Sequence, residues 1–223
     1  MDRMSRKGQF AIIGLGRFGG SVCKELIDLG HEVLVMDKSE DKVNEYANIA
    51  THAVVADSTD EKALRSLGIR NFEYVIVSIG DDIQASILTT LVLKELNISK
   101  VWVKAKNDYH HKVLAKIGAD MIVHPEKDMG KRIAQQVSDE KVIDYIELSD
   151  KYSIVELIAT SKLKGKTLID LDIRAKYGVT ILAVKKNEDI DISPEPDMKI
   201  HEGDLLIVIG ENKDIKRFED QAM

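Results

Sequence analysis

Gly14, Gly16 and Gly19 stand in the spacing G-x-G-x-x-G, written out as Gly14-Leu15-Gly16-Arg17-Phe18-Gly19. That spacing does its chemistry through the backbone. The first glycine permits a tight turn, the second lets the main chain approach a phosphate closely, and the third lets the following helix pack on its strand. A helix opening there offers free N–H groups and the positive end of its dipole to an anion. Asp37 lies 18 residues past Gly19, at the end of the next apolar run. A carboxylate in that place accepts hydrogen bonds from both hydroxyls of an adenosine ribose. It would also repel a 2′-phosphate, which disfavours NADP. The glycine spacing alone is a weak sign. Placed after a strand, at the start of a helix and with an acid at the next strand's end, it points to a nucleotide site.

Arg17 sits inside the turn, where a guanidinium can reach phosphate oxygens bidentately. The pyrophosphate in the middle of a dinucleotide is held mostly by backbone N–H groups. A side-chain cation beside it suits more terminal phosphate charge, as in ADP or ATP. Other strand ends face the same crevice, where open α/β sheets bind ligands. They deliver Asp57 and Ser58, then Ile79, Gly80 and Asp81 with Asp82, then Lys104 and Ala105, and finally Glu126. Asp57 and Ser58 can read an adenine edge or cap a helix. Gly80 lets the backbone near the phosphates, and Lys104 adds positive charge. Glu126 follows Pro125 at a helix start, which the helix dipole alone would explain. A carboxylate facing phosphates makes electrostatic sense with a divalent cation, Mg²⁺ or Ca²⁺, between them.

A catalytic set is not visible. Hydride transfer needs a proton donor beside the nicotinamide and a substrate domain. His110 and His111 are adjacent on an expected helix, project about 100° apart and cannot chelate one metal. A solvated or capping role is expected for both, with His110 near enough to the crevice to touch a ligand. His124 is expected to be structural. There is no G-x-S-x-G, no H-E-x-x-H and no Walker lysine. Cys23, the single cysteine, is expected as a small buried apolar residue on a helix.

The elements that would position these residues alternate regularly. Apolar runs at 9–15, 32–36, 52–56, 74–79, 101–103 and 121–123 read as strands. Patterns at 18–29, 39–48, 60–67, 83–96, 109–117 and 125–137 read as helices. Ser39 is the expected cap of the second helix. The apolar face of the fourth is expected at Ile83, Ile87, Leu88, Leu91, Val92 and Leu96. Six strand–helix repeats imply a Rossmann-like, doubly wound parallel sheet.

Beyond about residue 138 the pattern changes. Residues 139–148 read as a connector and first strand. Strand-like runs follow at 152–159, 179–184, 190–192 and 205–209, with one helix at 168–175 and another at 214–220. Two domains are therefore expected: 1–138, an α/β nucleotide domain, and 139–223, a small α+β module suited to regulation or dimerisation. Charge divides similarly. Residues 1–138 carry 19 Lys/Arg and 19 Asp/Glu, whereas 139–223 carry 13 against 19. The net charge of −6 disfavours nonspecific nucleic-acid binding and hence a DNA-binding repressor. No apolar run approaches the ~18–20 residues of a membrane span. The polar start, Met1 to Gly8, lacks the apolar centre of a signal peptide.

The runs F-A-I-I-G-L-G-R-F-G-G (Phe10–Gly20), N-E-Y-A (Asn44–Ala47), D-S-T-D-E (Asp57–Glu61), Q-A-S-I-L-T-T-L (Gln84–Leu91), H-P-E-K-D-M (His124–Met129) and D-L-D-I-R-A-K-Y-G (Asp170–Gly178) carry a resemblance over essentially the whole chain. It is to the RCK-type cytosolic gating subunits of Ktr bacterial potassium uptake systems. The resemblance implies a non-enzyme that senses ATP against ADP, with NAD(H) able to occupy the same site. It implies four dimers closed into an octameric ring, cytoplasmic and peripheral on the inner membrane face through an integral-membrane potassium-translocating partner. Arg17 would reach the ATP γ-phosphate, including from the neighbouring subunit. Asp37 would hold the ribose, with Lys38 and Ser39 beside it, and Asp57 and Ser58 would lie near adenine. Ile79, Gly80, Asp81 and Lys104 would flank the phosphates. Glu126 would meet its dimer mate at a divalent cation that favours the ATP state. Cyclic di-AMP would bind a C-terminal dimer groove through Leu168, Ile173, Arg174, Thr180 and Pro196. The competing reading is an NAD(H)-binding redox sensor or oxidoreductase.

Overall fold

The structure is a computed structural model that describes residues 7–138, 142–187 and 189–223. Contacts divide the chain into two compact units, one ending at Lys127 and one beginning at Asp128. Of the connector and first strand expected over 139–148, residues 139–141 lie outside the described residues.

The first unit begins with β1 (Gln9–Ile13), α1 (Arg17–Asp28), β2 (Glu32–Asp37), α2 (Glu40–Tyr46), β3 (His52–Val55) and α3 (Glu61–Ser66). It continues with β4 (Tyr74–Val77), α4 (Ile83–Glu95), β5 (Val101–Lys104), α5 (Asp108–Ile117), β6 (Met121–Val123) and the start of α6 (Pro125–Ser138). The six strands are all parallel, in the order β3-β2-β1-β4-β5-β6. The order reverses between β1 and β4, so a crevice opens at their carboxyl ends. Apolar side chains cover both faces, as a buried parallel sheet requires. One face holds Ile13, Met36, Val77 and Val103 with Leu93 and Leu114. The other holds Ile12, Val35 and Ile76 with Cys23 and Val43. Cys23 is fully buried, and burial pushes its thiol up to about 11.

Two expectations for this unit change in detail. Ile87, Val92 and Leu96 of the expected face of α4 do pack on the core, but Ser86, Thr89, Thr90 and Leu93 are buried with them, while Leu88 and Leu91 are about 40% exposed. Small hydroxyl side chains let this helix lie close to its neighbours, and two of the three find partners. The Thr90 hydroxyl donates to the Ser86 carbonyl at 2.7 Å, and the Thr89 and Ser58 hydroxyls pair at 2.7 Å. Ser39 stands at the start of α2 without capping it through its side chain. Its backbone N–H donates instead to Asp37 Oδ1 at 2.9 Å.

The second unit contains β7 (Val142–Glu147), β8 (Tyr152–Ile158), α7 (Leu168–Leu171), α8 (Ile173–Tyr177), β9 (Thr180–Lys186), β10 (Asp189–Asp191), β11 (Leu205–Glu211) and α9 (Asn212–Ala222). Its strands form one antiparallel sheet in the order β10-β9-β11-β8-β7. Leu157, Ile200, Leu206 and Phe218 centre its core. The single helix expected over 168–175 is two short ones. Asp172 breaks it by adopting a left-handed conformation, φ 44°, which aspartate tolerates better than most residues.

Candidate functional site

The crevice at the β1–β4 switch point contains a cavity of about 350 Å³, within the range of small-molecule sites. Four strand ends build it: Ile13 and Gly14, Met36 and Asp37, Ala56 and Asp57, Ser78 and Ile79. Gly16, Lys38, Lys42, Ser58, Gly80 and Asp81 complete much of the wall, with Asp82, Gln84, Ala85 and Leu88 from the start of α4.

The glycines divide the work as their spacing foretells. Gly14 has φ +97°, and a Cβ there would fall 2.9 Å from the Ser78 carbonyl carbon. The turn is tied down by Gly14 N–H to the Met36 carbonyl at 2.8 Å. A Cβ on Gly19 would come within 2.1 Å of the Gly14 oxygen, so only glycine lets α1 start this close to β1. Gly16 has nothing within 4 Å of its would-be Cβ. It caps α1 with extended backbone, and the space over it is open to an anion.

Asp37 is largely enclosed, with a side chain 9% exposed. Oδ2 accepts from the Leu15 N–H at 2.7 Å and Oδ1 from the Ser39 N–H at 2.9 Å. The carboxylate therefore locks the glycine turn to the end of β2, and each oxygen keeps a further lone pair. Lys42 stands 3.9 Å away. Asp57 does not cap α3; Asp60 does, accepting from Lys62 N–H. Asp57 instead accepts from the Thr59 N–H and hydroxyl at 2.9 and 2.7 Å. Those bonds, led by the Thr59 hydroxyl, hold its carboxyl below the usual range. The Ser58 hydroxyl is spent on Thr89, which leaves it a poor reader of a base edge. Asp82 caps α4 through the Ala85 N–H at 2.9 Å and lies 3.9 Å from Lys38.

Arg17, Phe18, Gly19, Ser39, Lys104, Ala105, His110 and Glu126 do not line the cavity. Lys104 is close by, its Nζ 3.6 Å from where a Cβ on Gly80 would sit. It donates to Glu126 Oε1 at 2.5 Å. That bond, with desolvation opposing it and Arg17 assisting, holds the Glu126 carboxyl below its usual range. Glu126 itself is 64% exposed. A carboxylate oxygen suits a hard divalent cation. Among the described residues, however, no group of three or more His, Cys, Asp or Glu is placed to hold a metal.

His110 differs from expectation. His110 is neither solvated nor at the cavity: it is 2% exposed. Its Nδ1 accepts the Lys106 N–H at 3.2 Å, which places the ring proton on Nε2, a buried atom with no partner among the described residues. Desolvation, then the nearby His124, lowers its affinity for a proton. The sign follows directly. Below the ordinary value of 6.5 the unfolded chain takes up a proton that the native ring resists, so stability falls as pH drops through that value toward the lowered native one. Melting temperature is expected to fall between about pH 7 and pH 5, and the slope should flatten in His110→Gln. An unchanged slope would assign the acid sensitivity to other groups. His111 Nδ1 and His124 Nε2 are 2.8 Å apart with near-parallel rings, a hydrogen-bonded pair that joins α5 to the segment before α6.

Sequence reasoning passed over Met36, Lys42, Thr59, Gln84, Ala85 and Leu88. Leu88 was assigned to a buried stripe, whereas its exposed position offers the cavity an apolar wall. The available signal was spacing: Gln84, Ala85 and Leu88 share a face one turn beyond Asp81–Asp82. In the second unit, Leu168 and Pro196 are brought together by the Ile169 N–H on the Pro196 carbonyl at 3.0 Å. Arg174 and Thr180 are exposed. Ile173 packs into the core, 5% exposed, so in a single chain its side chain is withdrawn from an effector.

Comparison with known proteins accounts for both units. Residues 10–125 match the TrkA-N domain and residues 152–222 the TrkA-C domain. The Ktr system potassium uptake protein A of Bacillus subtilis is 65% identical over 223 residues, 100% of both chains. The chain belongs to the Ktr-type family of potassium uptake proteins. A Ktr-type relative from Vibrio alginolyticus, also named protein A, is 43% identical over 91% of this chain and 92% of its own. The GsuK channel shares the fold, with a TM-score of 0.69 at 19% identity over 98% of this chain and 40% of that channel chain. The Ktr-type glycine turn, Asp37 and the switch-point cavity thus sit in the TrkA-N part, and the residues read as an effector site sit in the TrkA-C part.

Proposed function

We propose that this chain is a nucleotide-controlled regulatory subunit of a potassium uptake system, with ADP or ATP as the ligand of the β1–β4 cavity. One observation carries the reading. A cradle for phosphate, open above Gly16, adjoins a carboxylate at Asp37 suited to reading a ribose. The cavity wall holds four carboxylates, Asp37, Asp57, Asp81 and Asp82, against Lys38 and Lys42. That balance suits an uncharged nucleoside and rejects a 2′-phosphate. Positive charge collects instead at Arg17 and Lys104, beside the turn, where terminal phosphates would extend.

Among the described residues no helix is long and apolar enough to cross a membrane. Control of potassium flow is therefore assigned to a separate integral-membrane partner, with this chain docked peripherally on its cytoplasmic side. In this reading, subunits pair and the pairs close into an octameric ring. Arg17 distinguishes ATP from ADP, in part across the pair, and two Glu126 carboxylates meet a divalent cation. Cyclic di-AMP is assigned to the second unit, near Leu168, Arg174, Thr180 and Pro196, with Ile173 as backing. A ligand can shift the two ring states only by its difference in affinity for them, typically ~1–3 kcal/mol per site.

Thermal unfolding with ATP, ADP, NADH and NADPH, each with and without Mg²⁺, tests this. A ligand at 100 times its dissociation constant stabilises by about 2.7 kcal/mol. The expected order is ATP with Mg²⁺ above ADP, and NADPH least. A dominant NADH shift indifferent to Mg²⁺ would favour a redox sensor instead. No shift with any nucleotide would overturn the assignment.

A further inference from the structure

Lys104 has two close neighbours. On one side is Gly80, part of the cavity wall, whose would-be Cβ lies 3.6 Å from the ammonium. On the other is the Glu126 carboxylate at 2.5 Å. The lysine side chain is only 14% exposed, whereas Glu126 is 64% exposed. A poorly hydrated ammonium needs a counter-charge, and Glu126 supplies it. We propose that the Lys104–Glu126 pair is an internal competitor for phosphate: Lys104 is held by Glu126 until a nucleotide phosphate takes the ammonium and sets the carboxylate free.

This rests on the cavity being a nucleotide site, and it adds how phosphate occupancy is reported to the start of α6. The glycine turn and Asp37 would bind adenosine with no help from Lys104. Only the phosphate tail has to draw the ammonium away from Glu126. The cost of that exchange falls on phosphorylated ligands alone. Its product is an unpaired, exposed carboxylate at the head of α6. Arg17 also acts on Glu126 electrostatically, so the freed carboxylate retains one neighbouring cation.

The prediction has opposite signs for the two partners of one ion pair. Calorimetric titration with ADP in EDTA, using adenosine as the control ligand, reads it. Lys104→Met should weaken ADP about tenfold or more, the loss of one charge-assisted hydrogen bond, and leave adenosine unchanged. Glu126→Gln should tighten ADP by about threefold to tenfold, because the ammonium is no longer engaged. In the Lys104→Met background, Glu126→Gln should have no further effect on ADP. A carboxylate acting only as a repelling charge would instead tighten ADP equally in both backgrounds, and that result would overturn the proposal. So would unchanged or weaker ADP binding in Glu126→Gln alone. Failure of the wild-type chain to bind either adenosine or ADP would instead defeat the nucleotide assignment. Glu126 is exposed, so its substitution leaves the fold intact. Matching melting temperatures and adenosine titrations confirm that the Lys104→Met cavity is preserved.

Discussion

Gly19→Ala is expected to lose nucleotide binding altogether and to melt well below the parent. The added methyl would stand 2.1 Å from the Gly14 carbonyl oxygen and 2.9 Å from Ser78 Cβ. The first obstacle is backbone, held by the Gly14 N–H bond to Met36 and the Ser78 N–H bond to Ile13, so it cannot rotate aside. Helix α1 must move off β1, and the anion cradle moves with it. Overpacking of this kind costs about 1–3 kcal/mol and sometimes more. For a chain of this size that corresponds to roughly 2–4 °C per kcal/mol. Gly16→Ala supplies the contrast. Its backbone is extended, φ −73°, and a Cβ there meets nothing within 4 Å. The variant should melt like the parent yet bind ADP at least about tenfold more weakly, about 1.4 kcal/mol, because the methyl occupies the phosphate's approach. A stable Gly19→Ala with normal ADP affinity, or a Gly16→Ala indistinguishable from the parent in binding, would contradict the division of roles.

Asp37 carries the second large effect. Its two oxygens each accept a backbone N–H, from Leu15 and from Ser39, in a position with little water. Alanine would strand both donors. Hydrogen bonds to charged groups contribute about 1.5–3 kcal/mol each, less where water can replace the acceptor. A stability loss of about 2–4 kcal/mol is expected for Asp37→Ala, together with loss of adenosine binding. Asparagine is not a neutral substitute. It has one oxygen acceptor, and its amide presents N–H groups to whichever backbone donor remains. Asp37→Asn should therefore recover only part of the stability, as urea midpoints at constant slope would report. Full recovery would mean that the negative charge and the double acceptance are unimportant to the turn.

The sequence displayed most of the first unit because its signals are local. Strand runs ended by Gly14, Gly80 or an acid, and helices stopped by Gly30, Gly68 and Gly118, mark six repeats without reference to tertiary contacts. The glycine turn and Asp37 were legible for the same reason: backbone conformation and charge at a strand end are written into residue type. What was hidden depends on packing. The stripe of α4 misled because Ser86, Thr89 and Thr90 count as polar, yet they are buried, the Thr90 hydroxyl bonding the Ser86 carbonyl one turn back and the Thr89 hydroxyl bonding Ser58. Leu88 was then assigned to the core and lost as a cavity wall. The burial of His110 was hidden likewise, since the hydrogen bond that its Nδ1 accepts from the Lys106 N–H has no local signature. The break at Asp172 was missed because aspartate gives no warning of a left-handed conformation, as glycine does. Ion pairs between distant residues, Lys104 with Glu126 above all, have no local signature.

Cys23, fully buried behind the glycine turn with its thiol raised to about 11, has a practical corollary. Thiol reagents attack the thiolate, and at neutral pH this side chain offers almost none. A cysteine introduced on the surface can therefore carry a fluorophore or spin label without first removing the natural one. Pairs of such probes, both within the first unit and flanking the β1–β4 cavity, would report nucleotide addition as a direct optical or magnetic signal. The native thiol would remain silent until the fold opens.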